Sequence, residues 1–97
     1  MTLDELRATI RQPQPPPGLS PLLKALWLDA RGDWNGAHGI AQDDDTREAA
    51  WVHAYLHRKE GDPSNAGYWY RRAGKSPATV SLGEEWDTIA AALLAAS

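Results

Sequence analysis

The segment that decides the fold is residues 54–74, with the sequence AYLHRKEGDPSNAGYWYRRAG. Its centre, Gly61-Asp62-Pro63, predicts the end of one helix and the start of another, because aspartate is a favoured N-cap and proline is tolerated in the first helical turn. Gly74 predicts the end of the second helix, since glycine readily adopts the left-handed backbone of a helix C-terminus. The segment therefore predicts a helical hairpin.

An earlier part of the chain repeats this pattern at an offset of 29 residues. The two copies share two alanines and the glycine-aspartate pair of the turn, and the matching positions are Ala25 with Ala54, Gly32-Asp33 with Gly61-Asp62, and Ala37 with Ala66. These are the positions where a helical hairpin needs small residues for close packing and a turn residue followed by a cap. We therefore expect two hairpins within residues 20–74.

The segments that flank the hairpins also carry helix signals. Thr2 and Glu5 have the spacing of a capping box, which predicts a first helix from Leu3 to about Gln12. The prolines of residues 13–17 exclude helix and favour a stiff extended spacer. The remaining predicted starts are Ser20-Pro21 for the second helix, Asp33 for the third, Asp45 with Glu48 for a long helix from Thr46 to about Glu60, and Ser81 with Glu84 for the last.

Two resemblances to known proteins follow from these residues. The string from Ala66 to Ala73 resembles the Ala-x-x-Trp-Tyr-x-x-Ala signature of Sel1-like repeats, and residues 54–74 resemble a tetratricopeptide-type (TPR) unit. Both families are protein-interaction scaffolds, so the resemblance implies helix-turn-helix units and a protein partner. The stretch from Trp34 through Ala73, with its core at Trp51–Arg58, is also similar to a group of short bacterial proteins, which implies a helical fold only.

The sequence thus predicts an all-α fold of five short helices, with two TPR/Sel1-like helix-turn-helix units, an N-terminal helix and a proline-rich spacer. We expect a single helical domain over residues 1–97. It is divided into an N-terminal helix and spacer (1–19), two helical hairpins (20–74) and a C-terminal helix (75–97).

Composition excludes several function classes. The chain has no cysteine, so it forms no disulfide and offers no thiolate to a metal or a substrate. A formal net charge of -3 lacks the positive field that nucleic-acid binding requires. The N-terminal sequence carries acids where a signal peptide carries basic residues, and no apolar run is long enough for a membrane span. We expect a cytoplasmic protein without a nucleic-acid or membrane partner.

The three histidines are the candidate metal ligands. His53 and His57 are four residues apart on the predicted long helix, so both rings share one face, as two zinc ligands require. A third ligand has to come from His38, Glu60 or one of the aspartates 43–45. Ala54 stands where a zinc protease has its glutamate, which argues against a hydrolase of that type. The alternative interpretation is that the histidines border the packing face and hydrogen-bond to neighbouring backbone or acids.

Aromatic and arginine side chains are concentrated on the second hairpin, at Trp51, Tyr55, Tyr68, Trp69 and Tyr70, with Arg58, Arg71 and Arg72 beside them. If Trp69 points inward, Tyr68 and Tyr70 diverge to either side, because consecutive helical residues are about 100° apart. At least one ring is then partly exposed next to arginine, which is typical of interface hot spots. The alternative is that the tyrosines line the edge of the core and expose their hydroxyl groups to solvent.

Two functional hypotheses follow. The first is a non-catalytic module for protein interaction or self-association, and the second is a small-ligand or metal-binding protein, with or without catalysis, that uses the histidines. No catalytic residue and no cofactor other than a metal ion is indicated, so an enzyme is the less favoured interpretation. The candidate binding residues are His38, His53, His57, Trp34, Arg58, Tyr68, Tyr70 and Arg71.

Overall fold

The computed structural model describes residues 1–96, which form six α-helices and no strand. Their bounds are Leu3–Thr9 (α1), Pro21–Ala30 (α2), Trp34–Gln42 (α3), Arg47–Glu60 (α4), Pro63–Ala73 (α5) and Leu82–Ala96 (α6). The all-α prediction is confirmed. The expected number of five helices is not confirmed, since the described residues contain six: four between residues 20 and 74, and one on each side of them. None of the described helices is long and apolar enough to cross a membrane.

Most of the predicted helix starts are present. The hydroxyl of Thr2 accepts a hydrogen bond from the backbone N–H of Glu5, and the Glu5 carboxylate accepts one from the N–H of Thr2, so the capping box is complete. The other side chains that cap a helix as predicted are Ser20, Asp33, Asp62 and Ser81. Local sequence therefore determines where these helices begin.

The start of α4 differs from the prediction. Thr46, not Asp45, is the N-cap, and its Oγ1 accepts a hydrogen bond from the N–H of Ala49 at 3.1 Å. The Asp44 carboxylate accepts one from the N–H of Thr46 at 2.9 Å. Because this bond holds Thr46 in an extended conformation directly before Arg47, Asp45 lies one residue too early to cap the helix.

The first helix ends earlier than predicted, at Thr9 and not at Gln12. The guanidinium of Arg31, just after α2, donates hydrogen bonds to the backbone oxygens of Ile10 at 2.9 Å and Gln12 at 2.8 Å. These carbonyls follow a helix end, where oxygens need partners from outside the helix. The early end of α1 is therefore accompanied by a long-range contact, which the local sequence pattern does not reveal.

The turns before α3 and α5 have the same backbone geometry. Gly32 and Gly61 have φ angles of 89° and 88°, in the left-handed region that favours glycine. In each turn the next residue donates its N–H to a carbonyl five residues earlier, from Asp33 to Leu28 and from Asp62 to His57. These turns fold α3 against α2 and α5 against α4.

Helix α4 lies at the centre and packs against α2, α3, α5 and α6. Small residues allow this close packing, since Ala25, Ala37 and Ala54 are completely buried. Two tryptophans complete the core, and each finds a partner for its indole N–H: Trp27 donates to Thr9 Oγ1 at 3.2 Å, and Trp86 donates to the backbone oxygen of Leu26 at 3.0 Å. The chain has a radius of gyration of 12.3 Å, as expected for a compact domain of this length.

Two carboxylates are buried in this core, and each accepts hydrogen bonds from a tyrosine and a cationic side chain. Asp29 accepts from the Tyr55 hydroxyl at 2.8 Å and from Lys59 Nζ at 2.9 Å. Glu85 does the same with the Tyr70 hydroxyl and the Arg58 guanidinium. Because an unpaired buried charge is strongly destabilising, these partners are what allow the carboxylates to be buried.

Candidate metal centre

The three histidines converge. His38 comes from α3, while His53 and His57 come from α4, and one ring nitrogen from each lies within 4.8 Å of the others. The ring centroids are separated by 4.6 Å for His38 and His53, 5.2 Å for His38 and His57, and 4.8 Å for His53 and His57. Of the third ligands that the sequence left open, His38 is the one that joins the pair on α4.

The packing of α3 on α4 brings His38 into position. Trp34, at the start of α3, donates its indole N–H to the backbone oxygen of Leu56 at 2.8 Å, next to His57. Ala37 is completely buried, so its small side chain allows the two helices to approach closely at the residue before His38. One tryptophan and one alanine therefore set the distance between the imidazoles of the two helices.

Two indole rings enclose the cluster. The Trp69 ring, from α5, stacks on His53 with a centroid distance of 3.9 Å and an interplanar angle of 15°. The Trp34 ring stacks on His38 at 4.8 Å and 11°. His53 and His57 are only 4% and 6% exposed, whereas His38 is partly exposed. Solvent therefore reaches the cluster at His38 and is excluded from the other two rings.

Burial favours the uncharged form of two of the rings. It lowers the pKa of His53 from its ordinary value of 6.5 to about 4, and repulsion from His38 and His57 contributes to the same shift. The pKa of His38 is also lowered, first by burial and then by His57. A histidine must be neutral to bind a metal, because the lone pair that binds the ion is the one that would bind a proton. At neutral pH these two rings are therefore ready to bind.

The ring of His57 is oriented by Glu60. Its Nδ1 lies 2.5 Å from Oε1 of Glu60, while the amide nitrogen of Asn65 is farther away, at 3.5 Å. A carboxylate can only accept this hydrogen bond, so we assign the proton to Nδ1 and the free lone pair of the neutral ring to Nε2. A carboxylate bound to the outer nitrogen of a histidine is the usual arrangement behind a metal ligand, since it fixes both the tautomer and the ring orientation.

One nitrogen of His53 stands out. Its Nδ1 is buried and has no hydrogen-bond partner in residues 1–96. Leaving a buried polar atom unpaired costs about 1 to 3 kcal/mol. The interpretation that the histidines only hydrogen-bond to neighbours accounts for His57 through Glu60, but it does not account for this atom.

The distances are close to those of a metal site. Zn²⁺ binds imidazole nitrogen at about 2.0 to 2.1 Å, so two nitrogens of a tetrahedral site lie about 3.4 Å apart. The three nitrogens of the cluster, all within 4.8 Å of one another, reach that spacing through ring shifts of roughly 1 Å. Neutral imidazole ligands suit zinc, copper, nickel and iron. A second group, His57, Glu60 and Asp62, is also close together, but its members hold the His57 ring and cap α5.

Comparisons of the chain with protein-family models, with curated proteins and with solved structures found no match. The geometry of the cluster is therefore what indicates a metal site.

Of the other predicted site residues, Trp34 lies on α3, and the remaining four lie on α4 and α5: Arg58, Tyr68, Tyr70 and Arg71. Trp34 belongs to the histidine cluster, but Arg58 and Tyr70 do not, because both bind Glu85: Arg58 Nη1 lies 2.9 Å and the Tyr70 hydroxyl 2.6 Å from its carboxylate oxygens. Tyr70 is buried and has a raised pKa, first because of burial and then because of its hydrogen bond to Glu85. Tyr68 is exposed, as is Arg71.

The sequence does not predict that Trp69 stacks on a histidine of the cluster, and it predicts a different role for Glu60. The sequence leaves Glu60 open as a third metal ligand, but in the structure its carboxylate accepts the hydrogen bond from Nδ1 of His57. Its position three residues after His57, on the same helical face, was the available signal. The contact between Trp69 and His53 depends on how α5 packs against α4, for which the sequence gives no local signal. The aspartates 43–45 do not join His38, His53 and His57 in the group of potential metal ligands.

Proposed function

We propose that this protein binds a divalent transition-metal ion through the imidazoles of His38, His53 and His57. The observation that carries the proposal is the convergence of three ring nitrogens within 4.8 Å, one ring of which has a buried, unpaired Nδ1. Two further features support it. Burial favours the neutral, metal-binding form of His38 and His53, and Glu60 orients the ring of His57.

Isothermal titration of the untagged protein with Zn²⁺ tests this proposal. We expect one ion per chain, with binding lost in His38→Gln and in His53→Gln. The matched control replaces the aspartates 43–45 with asparagine, which removes the densest acidic cluster and leaves the imidazoles unchanged. Zinc binding that disappears in this control but persists in the histidine variants would assign the ion to the acidic loop and contradict the proposal.

A second readout comes from the tryptophans. Trp34 and Trp69 stack on two of the proposed ligands, so paramagnetic Cu²⁺ at this site is expected to quench their fluorescence. The quenching should saturate at one Cu²⁺ per chain and be reversed by a chelator. Circular dichroism of each histidine variant at the same temperature verifies that loss of binding does not reflect loss of the fold.

A second candidate function, self-association, is favoured by the surface around Tyr68. This residue is 44% exposed, its hydroxyl accepts a hydrogen bond from Arg72 at 3.1 Å, and the Arg72 guanidinium also lies 5.3 Å from the centre of the Trp69 ring. Exposed tyrosine beside arginine is typical of interface hot spots. The TPR/Sel1-like sequence pattern and the identical geometry of the turns at Gly32 and Gly61 support an interaction module of this kind.

Sedimentation equilibrium tests self-association. We expect a concentration-dependent dimer for the natural chain and a monomer for the variant that combines Tyr68→Ala with Arg72→Ala. Lys24→Ala, an exposed change on α2, is the matched control and should leave the dimer intact. A natural chain that remains monomeric at the highest concentration attainable would contradict this function.

A further inference from the structure

We infer that the ion bound by the three histidines keeps one coordination position open toward solvent beside His38, and that this position binds a small monodentate anion. The inference rests on the proposed metal-binding function and concerns the same site. It goes beyond that function because it assigns the ion a ligand from outside the protein.

The first step is the number of protein ligands. Within residues 1–96, the group of potential ligand atoms that contains His38 has three members, all of them imidazoles. The nearby carboxylates are engaged elsewhere, since Glu60 accepts the hydrogen bond from Nδ1 of His57 and Asp62 caps α5 through the N–H of Asn65. Zinc and similar ions take at least four ligands, and a site with three protein ligands completes its coordination with water or an exogenous molecule.

The second step is the direction from which such a ligand can arrive. His53 and His57 are almost completely buried, and the Trp69 ring covers one face of His53. His38 is the partly exposed member of the cluster, so the open position is reached along its edge. The Trp34 ring stacks on a face of His38 and borders this approach. Because this ring stands beside the partly exposed imidazole, a small ligand is favoured over a bulky or chelating one.

The third step is charge. Three neutral imidazoles leave the full double positive charge of the ion uncompensated, and the ion is then the largest local charge in a mostly buried site. The Glu60 carboxylate accepts the hydrogen bond from Nδ1 of His57, so with Nε2 as the metal-binding nitrogen it compensates this charge only through the ring. A monodentate anion at the fourth position neutralises part of the charge directly, because it binds in the first coordination sphere.

Cobalt substitution tests the inference, because the visible absorption of Co²⁺ reports coordination number and ligand exchange. The untagged protein is loaded with Co²⁺, freed of excess metal by gel filtration and titrated with azide. Sulfate at the same ionic strength is the control for a salt effect, and the aspartate-to-asparagine variant of residues 43–45 is the control for cobalt on the acidic loop. The cobalt content of the protein is measured again after the titration.

We expect a saturable change in the cobalt spectrum with one azide per ion, no change with sulfate, and unchanged cobalt content. If Co²⁺ binds one to one but its spectrum stays the same at azide concentrations that saturate aqueous Co²⁺, the fourth position is not exchangeable. The inference is then overturned while the proposed metal-binding function stands. If neither Co²⁺ nor Zn²⁺ binds, the proposed function fails and the inference fails with it. Loss of cobalt on adding azide also overturns the inference.

Discussion

The buried position of His53 predicts that the metal-free protein loses stability in mild acid. In the unfolded chain this histidine has a pKa near 6.5, whereas in the folded chain burial lowers its pKa to about 4. Below pH 6.5 the unfolded state therefore takes up a proton that the folded state does not. The contribution of His53 to the free energy of unfolding is therefore fully present above pH 6.5, and it is lost as the pH falls from 6.5 to about 4.

The magnitude follows from these two pKa values. One pKa unit corresponds to about 1.4 kcal/mol, so the full loss is about 3 kcal/mol, of which about 2 kcal/mol falls between pH 7 and pH 5. The lowered pKa of His38 acts in the same direction. Because small domains are stabilised by only about 5 to 15 kcal/mol in total, a loss of this size is readily measured.

Urea unfolding in the presence of a chelator, at half-unit steps between pH 7 and pH 5, measures this effect. His53→Gln should unfold with a much weaker dependence on pH, because glutamine does not titrate. Equal slopes of unfolding free energy against pH in the two proteins would refute the account of His53.

Three further predictions concern a buried ion pair, two glycines and the orientation of the His57 ring. Glu85→Ala leaves the Arg58 guanidinium without its carboxylate partner and should lower the unfolding free energy by about 3 kcal/mol, measured by urea denaturation; a loss below about 1 kcal/mol would contradict the role of this buried pair. Gly61→Ala should destabilise by about 1 kcal/mol because of its positive φ, whereas Gly39→Ala, in open space on α3, should stabilise by about 0.5 to 1 kcal/mol. Thermal unfolding of the two variants should therefore shift in opposite directions, and shifts of the same sign would contradict the assigned backbone geometry. Glu60→Ala should weaken zinc binding about 10-fold or more in calorimetry, while the exposed Glu48→Ala on the same helix leaves it unchanged; equal affinities would rule out orientation of the ring by Glu60.

Most of the helix starts could be predicted because they depend on local chemistry. The side chains of Thr2, Asp33 and Asp62 each accept a hydrogen bond from the backbone N–H three residues later. Because both partners are close in the sequence, the contact can be predicted from the residue types alone. The end of α1 could not be predicted in this way. It is accompanied by hydrogen bonds from Arg31, which is about twenty residues away along the chain.

The same distinction applies to the candidate site. The shared face of His53 and His57 follows from the helical period alone. The position of His38 beside these two rings depends on how α3 packs on α4. The stacking of Trp69 on His53 depends on how α5 packs on α4. Such contacts are set by long-range packing, for which a single sequence contains no periodic signal.

The count of imidazoles around a bound ion tests the central claim most directly. X-ray absorption at the zinc edge, on protein loaded with one Zn²⁺ per chain, gives the number and distance of histidine ligands. We predict three imidazole nitrogens, from His38, His53 and His57, at about 2.0 to 2.1 Å, together with one light exogenous ligand. A first shell of oxygen alone, or fewer than three imidazoles, would contradict the account.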